Sequence, residues 1–176
     1  SYELYHLDKA KKGAGKAAEL YLMEGFMDVI AAYRAGIENA VASMGTALSS
    51  EHVEHLKRFT KKLVLTYDGD KAGQAATAKA LEELQDFSVE VVRIPDAMDP
   101  DEYLQKNSAE ELAYLLTKTR ISPIEFYIHQ LKPENSENLQ AQIEFIEKIA
   151  PLIAKEQSIT AQNSYIHILA DNLPSF

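Results

Sequence analysis

Six carboxylates fall into three close groups along the chain. Glu24 and Asp28 stand four apart in Glu24-Gly25-Phe26-Met27-Asp28, Asp68 and Asp70 flank Gly69, and Asp99 and Asp101 flank Pro100. Each group follows a short apolar run rich in strand-forming residues, at 20–23, 63–67 and 89–94. Carboxylates brought close together raise each other's pKa and oppose the fold that gathers them. A hard divalent cation with oxygen ligands resolves that conflict. Magnesium typically keeps waters and binds through one or two carboxylates plus the phosphates of a substrate. Paired metals can activate an attacking hydroxyl and stabilise a leaving pyrophosphate. Gly25 and Gly69, beside the acids, allow tight turns or the close approach of a phosphate. One Asp-Gly-Asp alone is an ordinary surface turn. Three such groups after three strands of one sheet point to a metal site instead.

Other residues carry weaker signals. Gly45 and Thr46 end a second apolar run in Ser43-Met44-Gly45-Thr46, where backbone N–H groups can face a phosphate. Lys71 follows Asp70 and is placed to meet a phosphate or simply to be solvated. Lys57, Arg58, Lys61 and Lys62 form a basic patch that suits either a nucleic-acid backbone or the C-terminus of a helix. His52 and His55 have a spacing that permits metal binding, but no third ligand is near, so they are expected to be solvated. Tyr5, Tyr21, Tyr67 and Tyr103 are expected to pack the core. Serine–histidine nucleophile patterns and Walker-type loops are absent.

The elements that must position the acids alternate between strand and helix. Strands are expected at 20–23, 40–44, 63–67 and 89–94, and helices at 26–35, from Ser49 or Ser50 onward, and at 72–84. Such alternation predicts a mainly parallel sheet covered by helices on both faces, with functional residues at the carboxyl ends of its strands. Beyond Pro100 the pattern becomes helical, at 101–106, 109–118, 123–132, 139–155 and 159–169. Pro151 is expected to kink or divide the long helix. The organisation expected is a lead-in segment 1–18, an α/β metal-binding domain 19–104 and an all-helical subdomain 105–176.

Charge and composition narrow the classes. Asp and Glu number 27 against 18 Lys and Arg, a formal net charge of −9. That balance opposes a nucleic-acid-binding surface, so contacts to a phosphate backbone must come from a local patch or from elsewhere in a larger protein. Cysteine is absent, which excludes disulfides and thiolate zinc sites within these residues and fits a cytoplasmic protein. No apolar run is long enough to span a membrane, and the basic, small-residue-rich stretch from Lys9 to Lys16 suits a surface loop.

The motifs resemble those of a known family. Glu24-Gly25-Phe26-Met27-Asp28 is similar to the Glu-Gly-x-x-Asp motif of the TOPRIM domain, and Tyr67-Asp68-Gly69-Asp70-Lys71-Ala72-Gly73 to its Asp-x-Asp motif. Ala42-Ser43-Met44-Gly45-Thr46, the Lys71-Ala72-Gly73 extension and Asp99-Pro100-Asp101 resemble bacterial DNA primases in particular. The resemblance runs from about Leu20 to Leu104, with the later helices similar to those that close the primase polymerase domain. It implies a Rossmann-like TOPRIM sheet and a nucleotidyltransferase that makes RNA primers on single-stranded DNA from ribonucleoside triphosphates. It implies metal-binding or catalytic roles for Asp28, Asp68 and Asp70, and for Glu24 as ligand or general base. Asp99 and Asp101 match a third acidic cluster. Two or more Mg2+ or Mn2+ ions are the cofactors implied. A zinc-binding domain, a basic N-terminal half of the polymerase domain and a C-terminal domain that binds the replicative helicase are not among these residues, so a fragment is expected. The alternatives are another TOPRIM activity, as in a nuclease or topoisomerase subunit, or a metal- or nucleotide-binding module inactive in isolation.

Overall fold

A computed structural model describes residues 19–44 and 47–174. The lead-in segment 1–18, with its basic stretch and Tyr5, lies outside the described residues, as do Gly45 and Thr46.

Among the described residues, five strands form one sheet. They are β1 (Glu19–Met23), β2 (Ala40–Ala42), β3 (Lys62–Leu65), β4 (Ser88–Val92) and β5 (Arg120–Ile121), in the order β2-β1-β3-β4-β5. The first four are parallel, with Tyr21 opposite Ala40 and Val64, and Leu65 opposite Val91. Their sequences are nearly continuous apolar runs, as parallel strands covered on both faces require. The helices are α1 (Phe26–Arg34), α2 (Ser50–Lys57), α3 (Lys71–Glu83), α4 (Pro100–Lys106), α5 (Ala109–Lys118), α6 (Pro123–Leu131), α7 (Leu139–Ala154) and α8 (Ile159–Asp171). Alternate strand residues sort the core into two layers. Tyr21, Met23, Ala40, Ala42, Val64 and Val92 pack with Val29, Ala31 and Ala32 of α1 and Leu112, Leu115 and Leu116 of α5. Leu20, Leu22, Leu63 and Leu65 point the other way and are fully buried, as is Leu56 of α2.

The chain divides into two compact units, the first ending at Ile121 and the second starting at Ser122. The expected division after Leu104 falls earlier. The difference has a physical cause: α5 buries its leucine face in the sheet's core, and β5 adds an antiparallel edge strand, Val91 opposite Ile121. A two-residue strand is too short to show as a period in sequence. In the second unit α6, α7 and α8 surround Ile128, Phe145, Ile149, Ile153 and Leu169. Here α7 runs unbroken through Pro151. The proline sits in the last turn on an exposed face, where the carbonyl it leaves unpaired can reach water. No helix among the described residues is long and apolar enough to cross a membrane.

Arg120 ties the short edge strand to the sheet's centre. It donates to both carboxylate oxygens of Glu19, at 2.9 and 2.7 Å, and through Nε to the Leu116 carbonyl at 3.1 Å. Its guanidinium carbon lies 5.2 Å from the centre of the Tyr21 ring, and the Tyr21 hydroxyl also donates to Leu116. Lys62 joins through Glu90 at 2.8 Å and Glu19 at 3.5 Å. Burial alone would raise the Glu19 pKa, but Arg120 and Lys62 hold it below the usual carboxylate value. The Arg120 and Glu19 side chains are only 12% and 14% exposed, so this pair belongs with buried ion pairs. Arg120→Ala strands a desolvated Glu19 and should cost about 3 kcal/mol in urea unfolding followed by circular dichroism. A cost below about 1 kcal/mol would place the pair among ordinary surface contacts.

Candidate metal centre

Each acid group lies where the chain leaves a parallel strand. Glu24 directly follows β1, and its Oε1 accepts from the Asp68 backbone N–H at 3.1 Å. Asp28 sits in the first turn of α1, is 5% exposed, and has both oxygens held by backbone amides. Gly25 N–H donates to Oδ2 at 3.3 Å, and Asp101 N–H donates to Oδ1 at 3.2 Å. Asp28 thereby fastens the start of α1 to the start of α4. Asp70 is the N-cap of α3, its Oδ1 accepting from Gly73 N–H at 2.7 Å, and Asp99 caps α4, accepting from Glu102 N–H at 2.7 Å.

Two glycines make these turns possible. A Cβ on Gly73 would lie 2.0 Å from the Asp68 carbonyl oxygen, and one on Gly69 would lie 2.2 Å from the Ile94 carbonyl oxygen. The Gly69 N–H also donates to Met98 O at 2.9 Å. The loop pressed against Gly69 contains Asp96 and Ala97, both left-handed at φ 57° and 56°. Such angles cost non-glycine residues about 1 kcal/mol each, so the surroundings must enforce them. This loop delivers Asp99.

The result is a cluster in which one oxygen each from Asp28, Asp68 and Asp99 lies within 4.8 Å of the others. Asp68 Oδ1 is buried without a hydrogen-bond partner among the described residues. A buried, unsatisfied carboxylate oxygen beside two further carboxylates is a donor set that fits a hard divalent ion. Burial, reinforced by Glu24, Asp28, Asp99 and Asp70, pushes the Asp68 pKa up to about 7. Burial and Asp99 push Asp28 up to about 6 against the pull of its two backbone donors. Burial also raises Glu24, with Asp70 and Asp99 adding to the effect.

The other candidates are placed differently. Glu24, Asp70 and Asp101 lie outside the 4.8 Å group, although Glu24 and Asp70 act electrostatically on Asp68. Asp101 offers Asp28 its backbone N–H, and its own carboxylate accepts from Gln105 at 3.2 Å. Gly25 has room for a side chain, a built Cβ lying 3.6 Å from Asp28 Oδ2, so its contribution is the N–H it donates. Gly69 has a packing reason independent of any phosphate. Lys71 is exposed in the first turn of α3. His52 departs from the expected solvated pair: it is 4% exposed, and its Nδ1 accepts from Ser49 N–H at 3.2 Å, closing a capping box on α2. Two of the four cations in the basic patch are engaged, Lys57 with Asp86 at 3.0 Å and Lys62 with Glu90. Gly73 escaped notice as a contact residue, although its position three after the capping Asp70 was visible. Beside Glu24 opens a cavity of about 200 Å³, lined by Ser43, Leu48, Tyr67, Lys79 and Glu83 among others.

Residues 21–104, the sheet and these loops, match the Toprim-like family. A DNA primase of Lactococcus lactis is 55% identical over 176 residues, all of this chain and 28% of that protein. The chain belongs to the bacterial DNA primase family. Solved members of that family share the architecture. The RNA polymerase domain of Mycobacterium tuberculosis primase DnaG aligns with a TM-score of 0.76 at 30% identity, over 96% of this chain and 55% of that one. A DnaG primase catalytic domain bound to single-stranded DNA aligns with a TM-score of 0.71 at 27% identity, over 98% of this chain and 56% of that one. The chain thus spans a little over a quarter of its Lactococcus relative and about half of the primase catalytic domains.

The raised pKa values fix a pH dependence. An unfolded aspartate loses its proton near 3.8, whereas folded Asp28 and Asp68 keep theirs to about 6 and 7. Between those limits the folded state binds more protons, so these groups lower stability as pH rises from about 4 to 7. Asp68→Asn removes the larger of the two contributions. Without metal, the variant's thermal midpoint should rise relative to the parent's as pH goes from 4.5 to 7.5. Added Mn2+ should stabilise the parent more at the higher pH. A difference between variant and parent that stays constant with pH would mean that Asp68 is an ordinary surface acid.

Proposed function

We propose that this chain is the metal-binding part of a DNA-directed RNA polymerase that synthesises short RNA primers on single-stranded DNA. The observation that supports it most is the Asp28–Asp68–Asp99 cluster at the carboxyl edge of a parallel sheet, in a chain 55% identical to a DNA primase. The reaction is attack of a primer 3′-hydroxyl on the α-phosphate of a ribonucleoside triphosphate, with release of pyrophosphate. Asp28, Asp68 and Asp99 are the proposed ligands of one Mg2+ or Mn2+ ion, and Glu24 and Asp70 of a second. Such ions, when bound, neutralise phosphate charge and lower the pKa of a coordinated hydroxyl.

The chain's own residues do the rest. Backbone amides of Gly25 and Asp101 hold Asp28 in one orientation, so little reorganisation accompanies binding. The alternative role for Glu24, raised above the usual carboxylate pKa, is proton acceptor for the 3′-hydroxyl in place of ligand to the second ion. Lys71, exposed at the start of α3, is the proposed contact to a triphosphate, with Gly45 and Thr46 as further candidates for phosphate contact. Template DNA, the replicative helicase and a zinc-binding domain are the partners expected of the larger protein.

Three experiments bear on this reading. In the full-length protein, Asp68→Asn or Asp99→Asn should lower primer synthesis by about 10²- to 10³-fold, the scale of losing one preorganised electrostatic contact. Calorimetry with Mn2+ on the present chain should show binding that Asp68→Ala with Asp99→Ala removes; equal binding by that double variant would refute the assignment. Single-stranded DNA should bind this chain weakly and with strong salt dependence, because its acids outnumber its bases. Fluorescence anisotropy at two salt concentrations reads this directly, and tight, salt-insensitive binding would contradict it.

A further inference from the structure

Two positions before Asp68, a polar side chain is buried in an apolar layer. Thr66 directly follows β3 and is 0% exposed. Its backbone prolongs the strand: Thr66 N–H donates to the Leu22 carbonyl at 2.9 Å, and Asp68 N–H donates to Glu24 Oε1 at 3.1 Å. Side chains therefore go on alternating past Leu65. Val64 lies in the layer of α1, and Asp68 joins Asp28 of that helix in the cluster, whereas Tyr67 lines the cavity with Ala76 and Ala80 of α3. Thr66 thus falls between Val64 and Asp68 on the α1 side. Register fixes its neighbours on the adjoining strands. Extending the pairings of Leu65 with Leu22 and with Val91 by one residue sets Met23 on one side of Thr66 and Val92 on the other. Both are apolar, as is Val64. Thr66 Oγ1 is buried without a hydrogen-bond partner among the described residues, and so is Asp68 Oδ1.

We propose that Thr66 is a positioning residue of the metal centre: its hydroxyl and Asp68 Oδ1 share one ordered water, which steadies the Asp68 carboxylate for a divalent ion. The assignment rests on the reading of the acids as a metal centre. Unpaired buried oxygens are costly, and buried polar groups are ordinarily met by protein or by ordered water. With Met23, Val64 and Val92 around it, the Thr66 hydroxyl has Asp68 as the polar neighbour on its own strand. The spacing permits a bridge. Same-face residues of an extended chain stand about 6.6 Å apart. Two O–H···O hydrogen bonds through one water span up to about 5.6 Å, and the reach of the two side chains covers the remainder. A threonine hydroxyl both donates and accepts, and a carboxylate oxygen has more than one lone pair, so Oδ1 can accept from the water and still face an ion. Asp28, Asp70 and Asp99 take their orientation from backbone amides. No described residue donates to Asp68 Oδ1, and Thr66 supplies through water what the amides supply elsewhere. The role is that of a group standing behind a metal ligand and holding it in place.

Two substitutions separate the hydroxyl from the methyl of this side chain. Thr66→Val keeps the branched shape and removes the hydroxyl, whereas Thr66→Ser keeps the hydroxyl and removes the methyl. In calorimetry with Mn2+ on the present chain, Thr66→Val should weaken binding about tenfold, the lower end of the range for groups that orient a metal ligand. Thr66→Ser should keep an affinity close to the parent's. Metal-free thermal midpoints should rank the other way. Thr66→Ser should melt lowest, because a methyl leaves the core, and Thr66→Val should melt no lower than the parent. A crystal structure of the metal-free parent should show a water within hydrogen-bond distance of both Thr66 Oγ1 and Asp68 Oδ1. Equal Mn2+ affinity of Thr66→Val and the parent would overturn the assignment. So would an affinity that falls with the midpoint in Thr66→Ser, or a crystal structure in which the hydroxyl bonds directly to protein. Failure of the parent itself to bind Mn2+ would refute the metal centre first, and the role of Thr66 with it.

Discussion

Mutual repulsion among carboxylates is what the carboxyl edge of this sheet must contain. Asp28, Asp68 and Asp99 bring oxygens within 4.8 Å of one another, and Glu24 and Asp70 add to the field on Asp68. Left to themselves, such groups would swing toward water. They are held by backbone amides: Gly25 and Asp101 on Asp28, Glu102 on Asp99, Gly73 on Asp70. All three of these carboxylates engage the first turn of a helix, where unsatisfied N–H groups and the helix dipole favour negative charge. The same peptide units that start α1, α3 and α4 therefore steady the acids. Asp68 is the exception, with a buried oxygen that no described residue satisfies. Its raised pKa follows from that isolation, and so does its fitness as the centre of a metal site.

The clamps work only because the loops pack tightly. Glycine at 73 lets α3 start directly against the Asp68 carbonyl, and glycine at 69 lets the β4–α4 loop close on the Asp70 turn. That loop accepts two left-handed residues to reach its position. Local strain is thus placed beside the acids, and it is sustained by the parallel strands beneath. At the other end of β1, Arg120 locks Glu19, Tyr21 and Leu116 together. The charge arrangement differs between the two ends of that strand. Opposite charges are paired at Glu19, and like charges are concentrated beyond Met23. Stability comes from the first arrangement and the capacity to bind cations from the second.

Much of this was legible in the residues. Apolar runs ending in acid-glycine pairs suit parallel strands with carboxylates at their ends, because burial on both faces makes runs like 20–23 and 63–67 continuously apolar. What escaped was whatever depends on contacts between distant segments. The pairing of Asp28 with the amide of Asp101 spans 73 positions, and nothing at either end announces it. Asp99 and Asp101 look equivalent as a pair around proline. Only the capping geometry of α4 separates them, turning one carboxylate into the cluster and the other toward Gln105. His52 looked solvated because a histidine three from another suggests a polar face. It is instead 4% exposed and closes a capping box with Ser49, in the position where Glu or Gln more often stands. The unit boundary shifted because α5 belongs by its leucines to the sheet and by its sequence neighbours to the helices.

The net charge of −9 gains meaning from this placement. An acidic chain is a poor partner for a polyanion, yet its relatives include a catalytic domain solved with single-stranded DNA. The two facts are compatible if acid charge is concentrated where cations neutralise it and template contacts lie on other surfaces. The partial engagement of the basic patch fits that division. Lys57 and Lys62 are committed to Asp86, Glu90 and Glu19, which leaves Arg58 and Lys61 as the patch's remaining candidates for a phosphate. With so few cations in the patch, counterion release from this chain alone supplies little affinity. On the proposed reading, a template would be held mainly by polypeptide outside these residues. Metal affinity and template affinity would then reside in different parts of one protein.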